Sequence, residues 1–243
     1  VTEDSARCPL LVLWDVDHTL IENSGVSKET YAAAFGLLTG REAELRARTD
    51  GRTDPVIMAD LVERHGLTVT AEYQERFGEV LAAALSSRAD RLREVGFALP
   101  GAREAIAALS AQEGVIQSVV TGNIRANAFT KVATFDLHHG LDFEVGGYGS
   151  DDHIRANLVG IARERASAKY GVWLDAGNTV VIGDTPRDVQ AGRLGGAYVV
   201  AVASGSDGIE RLRAEEPDVV LPDLADTAAV VAAVRAVRQV TGS

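Results

Sequence analysis

Short apolar runs that each stop on an acid or a hydroxyl recur along this chain, with helical patterns between them. That alternation restricts the fold more than any other feature of the sequence. Pro9-Leu-Leu-Val-Leu-Trp14 ends on Asp15, Ile116-Gln-Ser-Val-Val120 on Thr121-Gly122-Asn123, and Thr179-Val-Val-Ile182 on Gly183-Asp184. Ala197-Tyr-Val-Val-Ala201 is a fourth run, and Asp218-Val-Val-Leu221, closed by Pro222, is a candidate fifth. Their length and β-branched content suit strands buried on both faces. Alanine- and leucine-rich segments of helical period separate them, over 101–112, 123–134, 154–169, 187–194 and 226–240. This order predicts an α/β fold, a Rossmann-like parallel sheet with helices on both faces. Ligands of such sheets bind outside the carboxyl ends of the strands, where the polar clusters fall.

The stretch from Gly25 to Val95 breaks the alternation, with no convincing buried strand. Ser27 is a candidate cap for a helix through Leu38, Asp54 begins another to His65, and Thr70 starts a long one through Asp90. The expected organisation is an α/β core over 1–24 and 95–243 with a small α-helical cap domain over 25–94.

The bulk numbers fit this organisation. A chain of 243 residues can bury a core unaided, and 46% hydrophobic with 24% charged residues is ordinary for a soluble globular protein. Cys8 is the only cysteine, so no disulfide forms within the chain; this favours a reducing setting, and Cys8 is read as structural or incidental. No apolar run is long enough to span a bilayer and no signal segment is visible, so a cytoplasmic protein without membrane contact is expected. The net charge of −11 argues against nucleic acid as a partner. An acidic protein that binds an anion needs local positive charge at the site.

Asp15-Val-Asp17 places two carboxylates where a strand leaves the sheet. A carboxylate can attack phosphorus to give an aspartyl-phosphate, and a second can protonate the leaving oxygen and then deprotonate water. The plainer alternative is a pair of surface acids. In Gly183-Asp184-Thr-Pro-Arg-Asp188 the acids at i and i+4 share one face of a turn, and such hard oxygen donors suit Mg²⁺. Alternatively, Asp184 or Thr185 merely caps the helix before Pro186. Thr121-Gly122-Asn123 offers a hydroxyl and free backbone N–H groups to phosphate oxygens, or an ordinary helix cap.

Taken together, Asp15-Val-Asp-His-Thr-Leu20, Val-Val-Thr121-Gly-Asn and Val-Ile-Gly183-Asp184-Thr-Pro-Arg-Asp188 resemble, in order, the motifs of the haloacid dehalogenase superfamily. The place of the helical insert resembles the branch that includes phosphoglycolate phosphatases and β-phosphoglucomutases, and Pro100-Gly101, at the return from the insert, is similar too. The resemblance implies Asp15 as nucleophile and metal ligand and Asp17 as general acid/base, with its backbone carbonyl on the metal. It implies that Thr121 hydrogen-bonds the phosphoryl group with Gly122 and Asn123 beside it, and that Asp184 and Asp188 serve Mg²⁺. True dehalogenases of the superfamily lack an acid two residues after the nucleophile, so Asp17 favours phosphorus chemistry.

The chain departs from the branch at one point. The usual lysine-proline pair is missing from Gly149-Ser-Asp-Asp-His-Ile-Arg155. Arg155 is expected to supply the cation instead, since a guanidinium can fork onto phosphate; Lys169, further along the same helix, is the alternative. Asp151 and Asp152 are candidate N-caps or a further edge of the metal site. His18 and Thr19 within the first motif are candidate substrate contacts. Arg52 in Gly51-Arg52-Thr53-Asp54 is a candidate for an anionic substrate end, with Asp54 otherwise a cap. Glu22 and Asn23 fall at the hinge. His65, His138, His139 and His153 show no metal spacing. The expected activity is a Mg²⁺-dependent phosphatase for a small phosphorylated metabolite, as monomer or homodimer. The alternatives are a phosphomutase, a phosphonate hydrolase, a dehalogenase and a non-catalytic phospho-acceptor module.

Overall fold

The computed structural model describes residues 9–49 and 51–240; Cys8 lies outside them. The chain starts with β1 (Leu10–Trp14), makes a tight turn and enters β2 (Ile21–Glu22). Four helices follow: α1 (Val26–Thr39), α2 (Asp54–Arg64), α3 (Ala71–Ser86) and α4 (Ala89–Val95). β3 (Phe97–Ala98) returns antiparallel to β2, so the excursion leaves and re-enters through one two-stranded ribbon. Then come α5 (Ala102–Ser110), β4 (Val115–Thr121), α6 (Arg125–Thr134), β5 (Gly147–Tyr148) and α7 (Arg155–Tyr170). The chain ends with β6 (Thr179–Gly183), α8 (Pro186–Leu194), β7 (Tyr198–Val202), α9 (Ile209–Arg213), β8 (Val219–Leu221) and α10 (Thr227–Val240).

Six strands form one parallel sheet in the order β5-β4-β1-β6-β7-β8. All five runs read as strands from the sequence lie within it, with boundaries shifted by a residue or so. Two-residue β5 was too short to leave a periodic signal. Alternation along β1 divides the core. Leu10, Val12 and Trp14 pack with α5, α6 and α10 on one face, whereas Leu11 and Leu13 pack with α7 on the other. Trp14 is fully buried, and its indole N–H donates to Gln117 Oε1 at 3.0 Å, which satisfies the one polar atom of that side chain. The register pairs Trp14 with Val119 on β4 and Ile182 on β6. The Asp15 N–H then donates to Ile182 O, so Asp15 leaves the sheet beside the ends of both neighbours. β1 is also where chain order reverses across the sheet, the place where crevices form in open α/β sheets.

The four helices between β2 and β3 bury their own apolar cluster, with Phe35, Met58, Leu61 and Leu81 at its centre. Ile124 from the α/β layer joins that cluster, so the two packing units meet at the end of β4.

Several local expectations are corrected. Ser27 does not cap α1: Asn23 Oδ1 accepts from the N–H groups of Gly25 and Ser27, which leaves the Ser27 hydroxyl without a partner. The helix expected to run from Thr70 to Asp90 is two helices. Thr70 does cap α3, but Ser87 Oγ and Arg88 Nη1 both donate to Ala84 O and end it. Asp54 is not a cap either, since Thr53 occupies that place and the Asp54 side chain points into the α/β layer. Asp151 and Asp152 do not cap α7: Asp151 pairs with Arg165 and accepts from the Tyr148 N–H, and Asp152 accepts from Ile154 N–H and Asn157.

Gly101, where the chain re-enters the α/β layer, has φ 81°, and a Cβ there would lie 1.9 Å from Leu224 O. Gly171 after α7 has φ 65° but nothing within 4 Å. We expect Gly171→Ala to cost about 1 kcal/mol from backbone strain alone. Gly101→Ala, which adds a collision with the main chain, should cost at least about 3 kcal/mol. Paired thermal or urea unfolding curves check the ranking, and equal losses would contradict it.

Candidate active site

Asp15, Asp184 and Asp188 meet at the carboxyl ends of β1 and β6. One donor oxygen from each lies within 4.8 Å of the others, and all three residues are buried. Local structure explains the convergence. β1 ends on Asp15, β6 ends on Gly183, and Asp188 folds back over Gly183 from the first turn of α8. A Cβ on Gly183 would lie 2.4 Å from Asp188 Cβ, so only glycine admits the fold-back. Thr185 and Asp188 form a capping box: the Thr185 hydroxyl accepts from Asp188 N–H, and Asp188 Oδ2 accepts from Thr185 N–H at 3.0 Å. Of the two residues read as candidate caps, Thr185 caps the helix, whereas Asp184 lies in the acidic cluster with Asp188.

Arg155, at the start of α7, donates one Nη2 to Asp15 Oδ1 at 2.6 Å and to Asp188 Oδ1. Lys169 is four turns away on the surface and pairs with Asp142 and Glu144, so it is no alternative to Arg155. One guanidinium does not offset three carboxylates. Burial first, then the neighbouring Asp188 charge, push Asp15 up to about 7 against the pull of Arg155. Burial, Asp188 and Asp15 push Asp184 up to about 9. The two carboxylates on Arg155 hold its proton more tightly than usual, although burial works the other way. A buried cluster with surplus negative charge and only oxygen donors fits a hard divalent cation such as Mg²⁺.

Thr19 is fully buried and donates to Asp184 Oδ1 at 3.0 Å. The sequence places it among candidate substrate contacts, but it is fully buried and its hydroxyl is spent on Asp184. His18 occupies the left-handed region at φ 63° and lines the cavities on both sides of the cluster, with Nδ1 2.9 Å from Glu22. The end of β4 contributes Gly122 and Asn123 to a cavity of about 80 Å³ beside Asp15, Asp17 and Arg155. Thr121 is buried, and its hydroxyl accepts from Asn123 Nδ2 at 2.8 Å. Arg52 lines the same cavity and pairs loosely with Asp60 at 3.6 Å. Its carbonyl lies over Gly122, where a Cβ would come within 2.3 Å. A larger cleft of about 700 Å³ adjoins, lined by His18, Asp184, Lys28 and Arg187 among others.

Two further features escaped the sequence. Asp54 Oδ2 accepts from the Ile124 N–H at 2.8 Å and Oδ1 from the Tyr31 hydroxyl, while Asp54 N–H donates to Gly122 O. The first turn of α2 is thereby tied to the loop after β4. Lys131 is buried on α6, and its Nζ reaches Asp17 Oδ2 at 2.6 Å and Oδ1 at 2.9 Å. Burial works against the charge on Asp17, but the Lys131 ammonium and the Asn123 amide prevail, and its carboxyl lies below the usual range. One signal was available in the sequence: Lys131 follows Asn127 and Ala128 on the buried stripe of α6, where a lysine needs a partner. Among the outlying histidines, the left-handed turn at Asp136 (φ 55°) gathers Asp136, His138 and His139 into a surface group whose donor atoms lie within 4.8 Å, a proximity that spacing along the chain did not reveal.

No helix among the described residues is long and apolar enough to cross a membrane. No curated protein matches the chain. Solved structures share its fold at low identity. CbbY from Rhodobacter sphaeroides, in complex with phosphate, aligns with TM-score 0.67 and 13% identity over 90% of this chain and 96% of that one. A candidate β-phosphoglucomutase from Bacteroides vulgatus gives 0.65 and 17% over 97% and 92%. A predicted phosphoglycolate phosphatase from Haemophilus somnus gives 0.64 and 16% over 92% and 98%. The sequence pattern of the haloacid dehalogenase-like hydrolases matches residues 12–193, and its span takes in Asp15, Asp17, Thr121, Arg155, Asp184 and Asp188. The chain belongs to the haloacid dehalogenase-like hydrolase family.

Proposed function

We propose that this hydrolase is a Mg²⁺-dependent phosphatase that acts on a small phosphorylated metabolite through an aspartyl-phosphate on Asp15. The observation that carries the proposal is the meeting of Asp15, Asp184 and Asp188 at one rim of the sheet, with Arg155 bridging Asp15 and Asp188. Asp15, Asp184 and Asp188, with the Asp17 carbonyl, would hold Mg²⁺. When bound, the ion supplies positive charge that keeps the carboxylates ionised and balances charge on the transferring phosphoryl group.

The protein's own residues account for the steps. Asp15 attacks phosphorus, and the bond from phosphorus to the leaving oxygen breaks. Against burial, Lys131 and Asn123 keep Asp17 ionised at rest, so the proton for that oxygen comes with the substrate as its phosphate monoanion and passes through Asp17. A water then attacks the phosphorus of the aspartyl-phosphate, Asp17 takes the water's proton, and the bond to Asp15 breaks to release inorganic phosphate. Arg155 neutralises Asp15 before attack and the phosphoryl oxygens after it; a guanidinium suits both because it never loses its charge. Gly122 and Asn123 line the small cavity, and this segment suits phosphoryl oxygens. Arg52 and His18 line the route to the leaving group. The helices over 26–95 act as a cap that sets the substrate and shields the site.

The test is release of phosphate from p-nitrophenyl phosphate and from a panel of metabolite phosphates with Mg²⁺, beside Asp15→Asn. Turnover should need Mg²⁺ and vanish in the variant; turnover kept by Asp15→Asn defeats the nucleophile assignment. Arg155→Ala should lower kcat/KM by about 10²-fold or more, with Arg155→Lys in between, and near-normal rates would remove Arg155 from the site. Titration gives a further check. The folded-state values of Asp15 and Asp184, about 7 and about 9, lie above the ordinary carboxylate value. Stability of the metal-free protein is therefore greatest at low pH on this account, and is lost as pH rises through those values. The rise in melting temperature on adding Mg²⁺ to EDTA-treated protein should grow from pH 6 to pH 9. A gain that shrinks over that interval would contradict the metal assignment.

A further inference from the structure

We propose that Lys131 is a positioning residue that sets the orientation of Asp17, a role that rests on the phosphatase proposal above. Lys131 is 3% exposed, on the face of α6 that also buries Ala128 and Val132. An ammonium there is costly unless every proton finds a partner. Its partners are Asp17 Oδ1, Asp17 Oδ2 and, at 2.7 Å, Asn123 Oδ1. The one carboxylate in hydrogen-bond contact with this buried lysine is therefore the residue proposed to move protons, while the Asp54 charge acts on it from further off.

The same contacts orient the end of β4. Lys131 can only donate, so the oxygen of the Asn123 amide must face it, and the amide nitrogen must face the other way. That nitrogen donates to Asp17 Oδ2 and to the Thr121 hydroxyl, both at 2.8 Å. Asn23 Nδ2 donates to Asp17 Oδ1, also at 2.8 Å. Each oxygen of Asp17 thus has two donors, and rotation of the carboxylate would break contacts on both sides at once. Lys131 is the only charged donor among them.

With p-nitrophenyl phosphate the two halves of the reaction make unequal demands on Asp17. p-Nitrophenolate leaves without much help from an acid, so transfer to Asp15 tolerates a misplaced Asp17. Hydrolysis of the aspartyl-phosphate does not, because Asp17 must take the proton from water as its oxygen bonds to phosphorus and the bond to Asp15 breaks. Lys131→Met should lower steady-state kcat by about 10²-fold while a first equivalent of p-nitrophenolate still appears rapidly and phosphorylated enzyme accumulates. Lys131→Arg, which keeps the charge, should recover at least part of the steady-state rate. In an Asp17→Asn background, where no charge remains to be positioned, Lys131→Met should change the rate by less than about threefold. A steady-state rate for Lys131→Met within about threefold of the parent, an equal slowing of both halves, or a full further loss in the Asp17→Asn background would each overturn the proposal. Failure of the parent to release phosphate would strike the phosphatase assignment itself, so the two failures are distinct.

Discussion

Three carboxylates held out of water within reach of one another repel, and a fold that tolerates them must supply positive charge or keep some of them protonated. Asp15, Asp184 and Asp188 are held in this way, and much of the molecule is arranged around the cost. The parallel register brings the first two together. Gly183 and the capping box at Thr185 bring the third. Arg155 offsets part of the charge, Thr19 hydrogen-bonds Asp184, and the remaining negative charge fits the divalent cation proposed above.

Around this cluster, two other buried ionisable groups are tied into the same rim. Lys131 answers Asp17, and Asp54 answers the Tyr31 hydroxyl and the Ile124 N–H. The first pair lies within the α/β layer, whereas the second crosses from the helical layer to the loop after β4. Ile124 makes both links, donating its N–H to Asp54 and placing its side chain in the apolar cluster of the helices. Packing and hydrogen bonding therefore converge on the segment that is proposed to hold phosphoryl oxygens. A shift of α2 would be felt there directly.

The asymmetry between Arg155 and Lys131 is consistent with ordinary charge chemistry. A guanidinium keeps its proton when buried, which suits a position where one Nη2 reaches both Asp15 and Asp188. An ammonium is compact and suits the pocket under α6, where three oxygens converge on one nitrogen.

The sequence alone determined the sheet, the helical excursion and the acids at the strand ends, because burial on both faces leaves continuous apolar runs and because a strand must stop where its polar residues begin. It also pointed to Arg155 where the usual lysine is missing. Tertiary structure alone decided the rest. Thr19 spent its hydroxyl on Asp184, Asp54 turned away from its own helix, and Lys131 came to Asp17 across 114 positions of chain. Spacing records neighbours within one element, where period and caps repeat, whereas these contacts join side chains from different elements whose meeting depends on how the layers pack.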